Sequence, residues 1–179
     1  MTVQTGMTSN PDQIADRLAI QDVLHLHCRG LDRLDPATIQ YAYWPDADVD
    51  YGSYKGSAHQ FAELVVVALG QTYALTRHSL TNTLITFAGS TARSESYVNA
   101  AHLLQDCSQE LLFYGRYLDR FEKRDGQWKL LHRQVVMDWS KRMPVHDERG
   151  SEAFAALAKG AHLDSDPLHP FVNASHRKE

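Results

Sequence analysis

The order of patterns along this chain is the feature that most limits its fold. Apolar residues at helical spacing fill the part before about Gly70, and long strand-type segments follow from His78 to Trp139. Strands joined by short turns run antiparallel, and helices must then cover one face of the sheet. The order therefore predicts an α+β fold rather than alternating βαβ units.

Three helices are predicted ahead of the strands. Asn10-Pro11 and Asp35-Pro36 each join an N-cap residue to a proline that suits the first helical turn. A capping box begins at Ser57, and Gly70 is a helix-stop signal. The predicted helices are Pro11 to Leu31, Pro36 to Tyr43 and Ser57 to Leu69.

Five strands are predicted, of which the last four are long. Gly89-Ser90 separates two of them, and Asp125-Gly126 predicts a tight hairpin because this pair tolerates positive φ angles. The predicted strands are Ala47 to Tyr51, His78 to Phe87, Ala92 to Gln105, Leu111 to Lys123 and Trp128 to Trp139.

Length and apolar content indicate one domain. The chain has 179 residues, 43% of them apolar, which suits a single core. We predict a flexible N-terminus at 1–10, an α+β domain at 11–140 and a tail at 141–179. Within the tail, Ser151 to Lys159 is predicted as a short helix and Asp164 to Pro170 as a loop.

Charge and apolar runs argue against several partners. With 18 basic and 22 acidic residues, the chain lacks the basic surplus of a nucleic-acid binder. The most apolar segment, Phe61 to Leu69, is far shorter than a membrane span, and Met1 to Asn10 has no apolar signal-peptide core. Cys28 and Cys107 form no disulfide framework, so we expect reduced thiols and a cytoplasmic protein.

Motifs for common cofactors are missing from the sequence. It contains no GxGxxG, no GxxxxGK[ST] and no GxSxG, so neither a nucleotide cofactor nor serine hydrolysis is expected. His25 and His27 are two residues apart and would point to different faces of a helix, so no metal site is predicted. Acid–base chemistry without a cofactor is therefore the remaining class of reaction that the sequence suggests.

Asp32 and His78 are the candidates for that chemistry. Asp32 lies near the end of the first helix, and His78 begins the first long strand. A histidine beside a carboxylate can act as a general base, because the carboxylate stabilises the imidazolium. Taken singly, Asp32 could instead be a surface acid paired with Arg29 or Arg33, and His78 a half-buried strand residue.

A family resemblance supports the choice of these two residues. Its motifs are Ala19-Ile20-Gln21-Asp22, Gly30-x-Asp32, Trp44 followed by Asp46-Ala47, Tyr54-Lys55-Gly56, His78-x-x-Thr81-Asn82 and Arg124-Asp125-Gly126-x-Trp128-Lys129. Through them the chain resembles, from Ile14 to Val135, the SnoaL-like group of the nuclear-transport-factor-like superfamily, and within it the dehydrochlorinase and dehydratase members. The resemblance implies a cone, or α+β barrel, of one curved antiparallel or mixed sheet wrapped by three helices.

The resemblance also implies roles for individual residues. His78 matches the base that removes a proton, Asp32 the carboxylate that orients it, and Arg133 a polar residue that helps the departing anion. Trp44 matches a pocket aromatic. His27 stands where the dehydrochlorinase members have lysine, and is either a second proton donor or a core histidine.

Three further residues are candidates for substrate binding: Tyr51, Tyr54 and Asn99. The tyrosines follow the first predicted strand, where such cones open, and Tyr54 is either a proton donor or a rim residue. Strand alternation puts Asn99 on the face opposite His102, a candidate for a second site histidine, and leaves open which face lines the cavity.

The sequence therefore predicts a cofactor-independent lyase. It would eliminate water, hydrogen halide or a small carbonyl fragment such as formaldehyde from a hydrophobic cyclic or aromatic substrate. The alternatives are a non-catalytic β subunit of a ring-hydroxylating oxygenase and a small-molecule binding module. Because such cones associate through their sheets, a homodimer or homotrimer is expected.

Overall fold

The three predicted helices are present in the structure, a computed structural model that describes residues 11–174. They are α1 (Pro11–Arg33), α2 (Pro36–Tyr41) and α3 (Ala58–Thr72). Asp35 caps α2 by accepting a hydrogen bond from the backbone N–H of Thr38, as the cap signal predicted. Gly70 does not end its helix, because α3 continues to Thr72 and passes directly into the next strand. The predicted flexible segment 1–10 lies outside the described residues.

The strands form one mixed sheet of six members. They are β1 (Tyr43–Asp50), β2 (Lys55–Ser57), β3 (Tyr73–Ala88), β4 (Thr91–Leu104), β5 (Gln109–Arg124) and β6 (Gln127–Pro144). Their order in the sheet is β2-β1-β6-β5-β4-β3, with β1 parallel to β6 and every other pair antiparallel. The α+β prediction with a curved mixed sheet is confirmed, although the sheet does not close: β2 and β3 are its edges.

Register shifts account for the curvature of the sheet. They interrupt β3 against β4 near Leu80, and β5 against β6 near Gly115 and Phe121. Such irregularities bend a strand and increase its twist. Gly115 is required at its shift, because a Cβ atom there would lie 2.2 Å from the carbonyl oxygen of Val136.

The main core fills the space between the helices and the inner face of the sheet. Its buried members include Ile20 and Leu24 of α1, Phe61 of α3, and Phe121 and Leu130 of the sheet. Because one face of the sheet is covered in this way, buried and exposed residues alternate along β4. The covered side is called the inner face below, and the opposite side the outer face.

The corner between α1 and α2 is closely packed. Gly30 allows it, since a Cβ atom on this residue would lie 2.6 Å from Cγ1 of Ile39. Leu34 ends α1 in the left-handed region with φ of 53°, and the N–H of Asp35 donates to the carbonyl oxygen of Gly30 at 2.8 Å. This corner fixes the end of α1, which carries Asp32.

The tail differs from its prediction. Strand β6 continues to Pro144, past the predicted domain end. Only Glu152–Phe154 of the expected helix forms a 3-10 turn, while the predicted loop contains a second turn, Leu163–Ser165, and the start of α4 (Leu168–Ala174). No helix within residues 11–174 is long and apolar enough to cross a lipid bilayer.

Candidate active site

Asp32 and His78 are in direct contact. Nδ1 of the His78 ring lies 2.7 Å from Oδ1 of Asp32, and the backbone N–H of His78 donates to both carboxylate oxygens at 3.0 Å. The Asp32 side chain is 14% exposed and the His78 side chain is 9% exposed. The carboxylate is therefore held against the histidine by three short contacts in a largely buried setting.

The edge position of β3 explains how the carboxylate reaches the backbone of His78. Strand β3 pairs only with β4, so alternate N–H groups of β3 have no partner strand. The N–H of His78 donates to the Asp32 carboxylate instead of to a neighbouring strand. Backbone and ring are thus fixed by the same carboxylate, which leaves the imidazole little freedom to rotate.

The contact with Asp32 also determines which ring nitrogen can accept a proton. An ionised carboxylate only accepts hydrogen bonds, so Nδ1 carries the proton and Nε2 carries the lone pair. No described residue hydrogen-bonds Nε2 of His78, and this atom is not among the buried polar atoms that lack a partner. Nε2 is therefore open to a molecule that enters beside the ring.

His102 lies next to His78 on the neighbouring strand. Their ring centroids are 5.4 Å apart in an edge-to-face arrangement. His102 stacks on Tyr73, and its Nδ1 lies 2.7 Å from Oγ1 of Thr76. Burial, with the charge of His78 adding to it, lowers the pKa of His102 to about 4, so this ring is neutral at pH 7.

The lowered pKa of His102 predicts a loss of stability in acid. The unfolded chain binds a proton at this histidine near pH 6.5, whereas the folded chain does so only near pH 4. Unfolding is therefore favoured as pH falls between these values, by up to about 1.4 kcal/mol per pH unit. Denaturant titrations from pH 7 to 4 should show a shallower pH slope for His102→Gln than for the wild type. Equal slopes would contradict the prediction.

A second buried ion pair lies deeper in the molecule. Arg133 donates from Nε and Nη2 to the two carboxylate oxygens of Asp119, at 2.7 and 2.8 Å, and both side chains have no exposed area. The Arg133 guanidinium stacks 3.9 Å from the ring centroid of Tyr117. Arg133 points inwards, while its neighbour His132 lies on the outer face and pairs with Asp48.

Three polar atoms around Arg133 are buried without a partner. They are Nη1 of Arg133, the hydroxyl of Tyr43 and Nδ1 of His27, and none has a hydrogen bond to a described residue. Buried polar atoms are nearly always satisfied in folded proteins, so such atoms point to an occupant such as water or a ligand. This polar cluster can offer N–H and O–H donors to a negatively charged or oxygen-bearing group.

His27 and Tyr51 complete the polar cluster. The Tyr51 hydroxyl lies 3.2 Å from Nε2 of His27, and the Tyr51 ring stacks on Phe61. Burial, followed by the charges of Arg133 and His78, lowers the pKa of His27 well below its usual value. Burial raises the pKa of Tyr51 to about 12, against the opposing charge of Arg133. His27 is therefore a neutral, fully buried histidine that is tied into the cluster.

Apolar residues lie between the Asp32–His78 pair and the polar cluster. Cys28 of α1 packs with Val98 and Tyr117 of the sheet, and this group is bordered by the half-buried side chains of Leu80, Phe113 and Val135. Burial raises the pKa of the Cys28 thiol to about 12, which keeps it uncharged. The side chains between the two charged sites are therefore largely apolar.

Two predicted site residues, Trp44 and Asn99, lie away from the Asp32–His78 pair and the polar cluster. Trp44 points away from the Asp32–His78 pair. Its Nε1 donates to the carbonyl oxygen of Glu122 on β5. Glu122 lies nine residues along β5 from Phe113, which is level with His78 across the sheet. Its ring lies beneath Arg124 and Lys129, beside the hairpin turn. Asn99 is exposed on the outer face and cannot contact a molecule beside His78.

Tyr54 is half-buried beside Phe61. Its hydroxyl donates to the carbonyl oxygen of Ser57 at 3.0 Å, and its ring packs near Phe61. Asp119, Tyr43 and Tyr117 were not among the predicted site residues. A buried arginine needs a carboxylate partner, so the site role that the resemblance implies for Arg133 was the signal that could have identified Asp119.

The tail reaches the end of α1 beside this site. Arg33, the neighbour of Asp32, pairs with the buried Asp166 at 3.3 Å. Asp166 also accepts hydrogen bonds from the backbone N–H groups of Ala161 and Leu168. This contact places the tail segment next to the end of α1, which carries Asp32.

Fold and site together define a class of protein: an α+β cone with a histidine–carboxylate pair, an apolar interior and a buried arginine. Within residues 11–174, no group of three or more histidine, cysteine or acidic side chains is placed to hold a metal ion. Residues 12–134 match the SnoaL-like domain. The chain therefore belongs to the SnoaL-like family.

Individual relatives agree with this assignment. Hexachlorocyclohexane dehydrochlorinase 1 of Sphingobium indicum is 29% identical over 126 residues, which cover 68% of this chain and 81% of that protein. The structure of a type 2 hexachlorocyclohexane dehydrochlorinase superposes with a TM-score of 0.67 at 25% identity, covering 75% of this chain and 92% of that one. A scytalone dehydratase-like protein from Novosphingobium aromaticivorans gives the same TM-score at 23% identity, covering 75% and 91%.

Proposed function

We propose that this protein is a lyase that needs no cofactor and eliminates a small leaving group from a hydrophobic cyclic or aromatic substrate. The carrying observation is the 2.7 Å contact between His78 and Asp32, which leaves Nε2 of His78 unbonded. Membership of a family with dehydrochlorinase relatives supports the same class of reaction. Water, hydrogen halide and formaldehyde are the leaving groups considered.

In the proposed reaction, Nε2 of His78 removes a proton from the carbon next to the leaving group. For loss of water or hydrogen halide, the electrons of the broken C–H bond form the new double bond, and the leaving group departs with its own electron pair. Loss of formaldehyde instead begins with removal of the hydroxyl proton by Nε2: the O–H electrons form the C=O bond of formaldehyde, and the electrons of the broken C–C bond stay on the remaining carbon, which then takes up a proton. Asp32 keeps Nδ1 protonated, so that Nε2 is the basic nitrogen, and stabilises the imidazolium that forms. The proton then passes from His78 to solvent or to the leaving group.

Arg133 is proposed to stabilise the charge that develops on the leaving group. Its Nη1 is buried and has no described partner, so an N–H donor is already oriented before the substrate enters. A preorganised donor in a buried site stabilises a developing anion without reorganisation cost. We assign His27 and Tyr51 to the same polar cluster as positioning residues, and Tyr54 to the rim.

The experiment is a cofactor-free incubation with hydroxylated and halogenated cyclic compounds and aryl alcohols, followed by mass spectrometry. Loss of water, hydrogen halide or formaldehyde with wild-type protein supports the proposal, and the mass lost identifies the leaving group. His25→Ala is the matched control, since His25 is exposed on α1. Tight binding of a panel compound without any product would instead support a binding module.

Two further expectations accompany this proposal. We propose a homodimer or homotrimer, since the outer face exposes Tyr97 and Trp139, and the Trp139 ring stacks on the half-buried Tyr114 with centroids 4.7 Å apart. We also propose a cytoplasmic location, which rests on Cys28 and Cys107 being free thiols.

A further inference from the structure

Two arginines face each other on the outer face of the sheet, away from the Asp32–His78 pair. The strand register places Arg93 of β4 directly opposite Arg120 of β5, and Arg120 opposite His132 of β6. Directly opposed residues have Cβ atoms about 5 Å apart, and like charges in such positions destabilise a sheet. The arrangement therefore carries a cost in the isolated chain.

The nearby acidic groups do not neutralise this arginine pair. Glu95 accepts a hydrogen bond from Arg116 at 3.0 Å, and His132 is paired with Asp48 at 2.7 Å. Neither Arg93 nor Arg120 forms an ion pair or a side-chain hydrogen bond with any residue in the described range 11–174. Two positive charges are thus left without a counter-ion.

A groove of about 530 Å³ lies over this pair. Its volume is within the range of small-molecule sites, which is about 300–1,000 Å³. Leu84 and Leu118 supply apolar contact area, with Leu84 69% exposed, and Gln134 lines the groove as a polar group. The groove therefore combines two guanidinium groups and an apolar wall with one carboxylate, Glu95, which is paired with Arg116.

We propose that this groove binds a small organic oxyanion, a carboxylate or a phosphate carried on an apolar body. The planar guanidinium group matches the oxygens of either anion, and an anion between Arg93 and Arg120 removes their mutual repulsion. The apolar body would contact Leu84 and Leu118. This site lies on the face of the sheet opposite His78 and Arg133, so it is independent of the proposed lyase reaction.

The test uses the full chain with benzoate and phenyl phosphate as probes, and benzyl alcohol as the uncharged comparison. Affinity is measured by isothermal titration calorimetry. Arg93→Gln and Arg120→Gln are each expected to weaken binding by about tenfold or more, the effect of one charge-assisted hydrogen bond. Arg77→Gln is the matched control, because Arg77 is another exposed arginine of the sheet outside the groove. The stronger of the two probes identifies the preferred oxyanion.

Thermal unfolding gives a second measurement. Without probe, Arg93→Gln and Arg120→Gln are expected to unfold no earlier than the wild type, because each relieves the like-charge contact. With probe, the wild type and Arg77→Gln should gain stability and the two groove variants should gain less.

Three results would overturn the proposal. One is equal probe affinity for Arg93→Gln and Arg77→Gln, and another is binding of benzyl alcohol as tight as that of the anions. The third is a wild type that binds neither anion; if Arg120→Gln also changes the sedimentation mass, the groove is a contact between copies of the chain. None of these results bears on turnover at His78.

Discussion

Replacing His78 with alanine is expected to lower kcat for the elimination reaction by about 10²–10⁴-fold, the contribution of a positioned general base. The reason is geometric. Nδ1 of His78 donates to Asp32 and Nε2 makes no hydrogen bond to a described residue, so the substitution removes the imidazole nitrogen that is proposed to accept the substrate proton. Steady-state rates with the substrate identified in the panel measure the effect, and the exposed His25→Ala should leave them unchanged.

Asp32→Asn separates orientation from proton transfer. The amide keeps an oxygen and the size of the side chain, but it does not stabilise an imidazolium as a carboxylate does. We expect kcat to fall with little change in KM, and circular dichroism to show a folded protein. If Asp32→Asn retained full activity, the role of Asp32 would be limited to holding the backbone of His78.

The Asp32–His78 pair was predicted from the family resemblance together with the positions of the two residues, because either residue taken alone could also be structural. Asp32 comes just before the strong cap-and-proline signal that ends α1, and His78 lies at a matching motif on the next long strand. The positions of the Trp44 and Asn99 side chains could not be predicted in this way. Each depends on which side of a strand faces inwards, and Tyr43 rather than Trp44 occupies the buried position on β1.

Strand ends were predicted less well than turns. The first strand was predicted to begin at Ala47, yet β1 begins at Tyr43 and contains Pro45. The register of β1 against β6 shifts between Tyr43 and Asp48, so Pro45 lies where a regular ladder hydrogen bond is not required. The Asp125-Gly126 turn, by contrast, was placed correctly, because both residues adopt the positive φ angles that the pair favours.

Breaking the Arg133–Asp119 pair should produce the largest change in stability. Replacing either partner alone leaves a fully buried charge without its counter-ion, which costs about 3–5 kcal/mol of the free energy of unfolding. Urea denaturation of Asp119→Leu and Arg133→Met measures this cost. The exposed pair between Arg124 and Asp46 is the matched control, since its side chains stay in water when one is replaced.

The double variant Arg133→Met/Asp119→Leu distinguishes folding from catalysis. Removing both charges leaves an apolar pair of similar volume, so much of the stability lost in the single variants should return. Elimination activity should not return with it, because the N–H donor for the leaving group is gone, and a fall in kcat of about 10²-fold is expected. A double variant that is both stable and fully active would remove Arg133 from the proposed reaction and leave it as a structural ion pair.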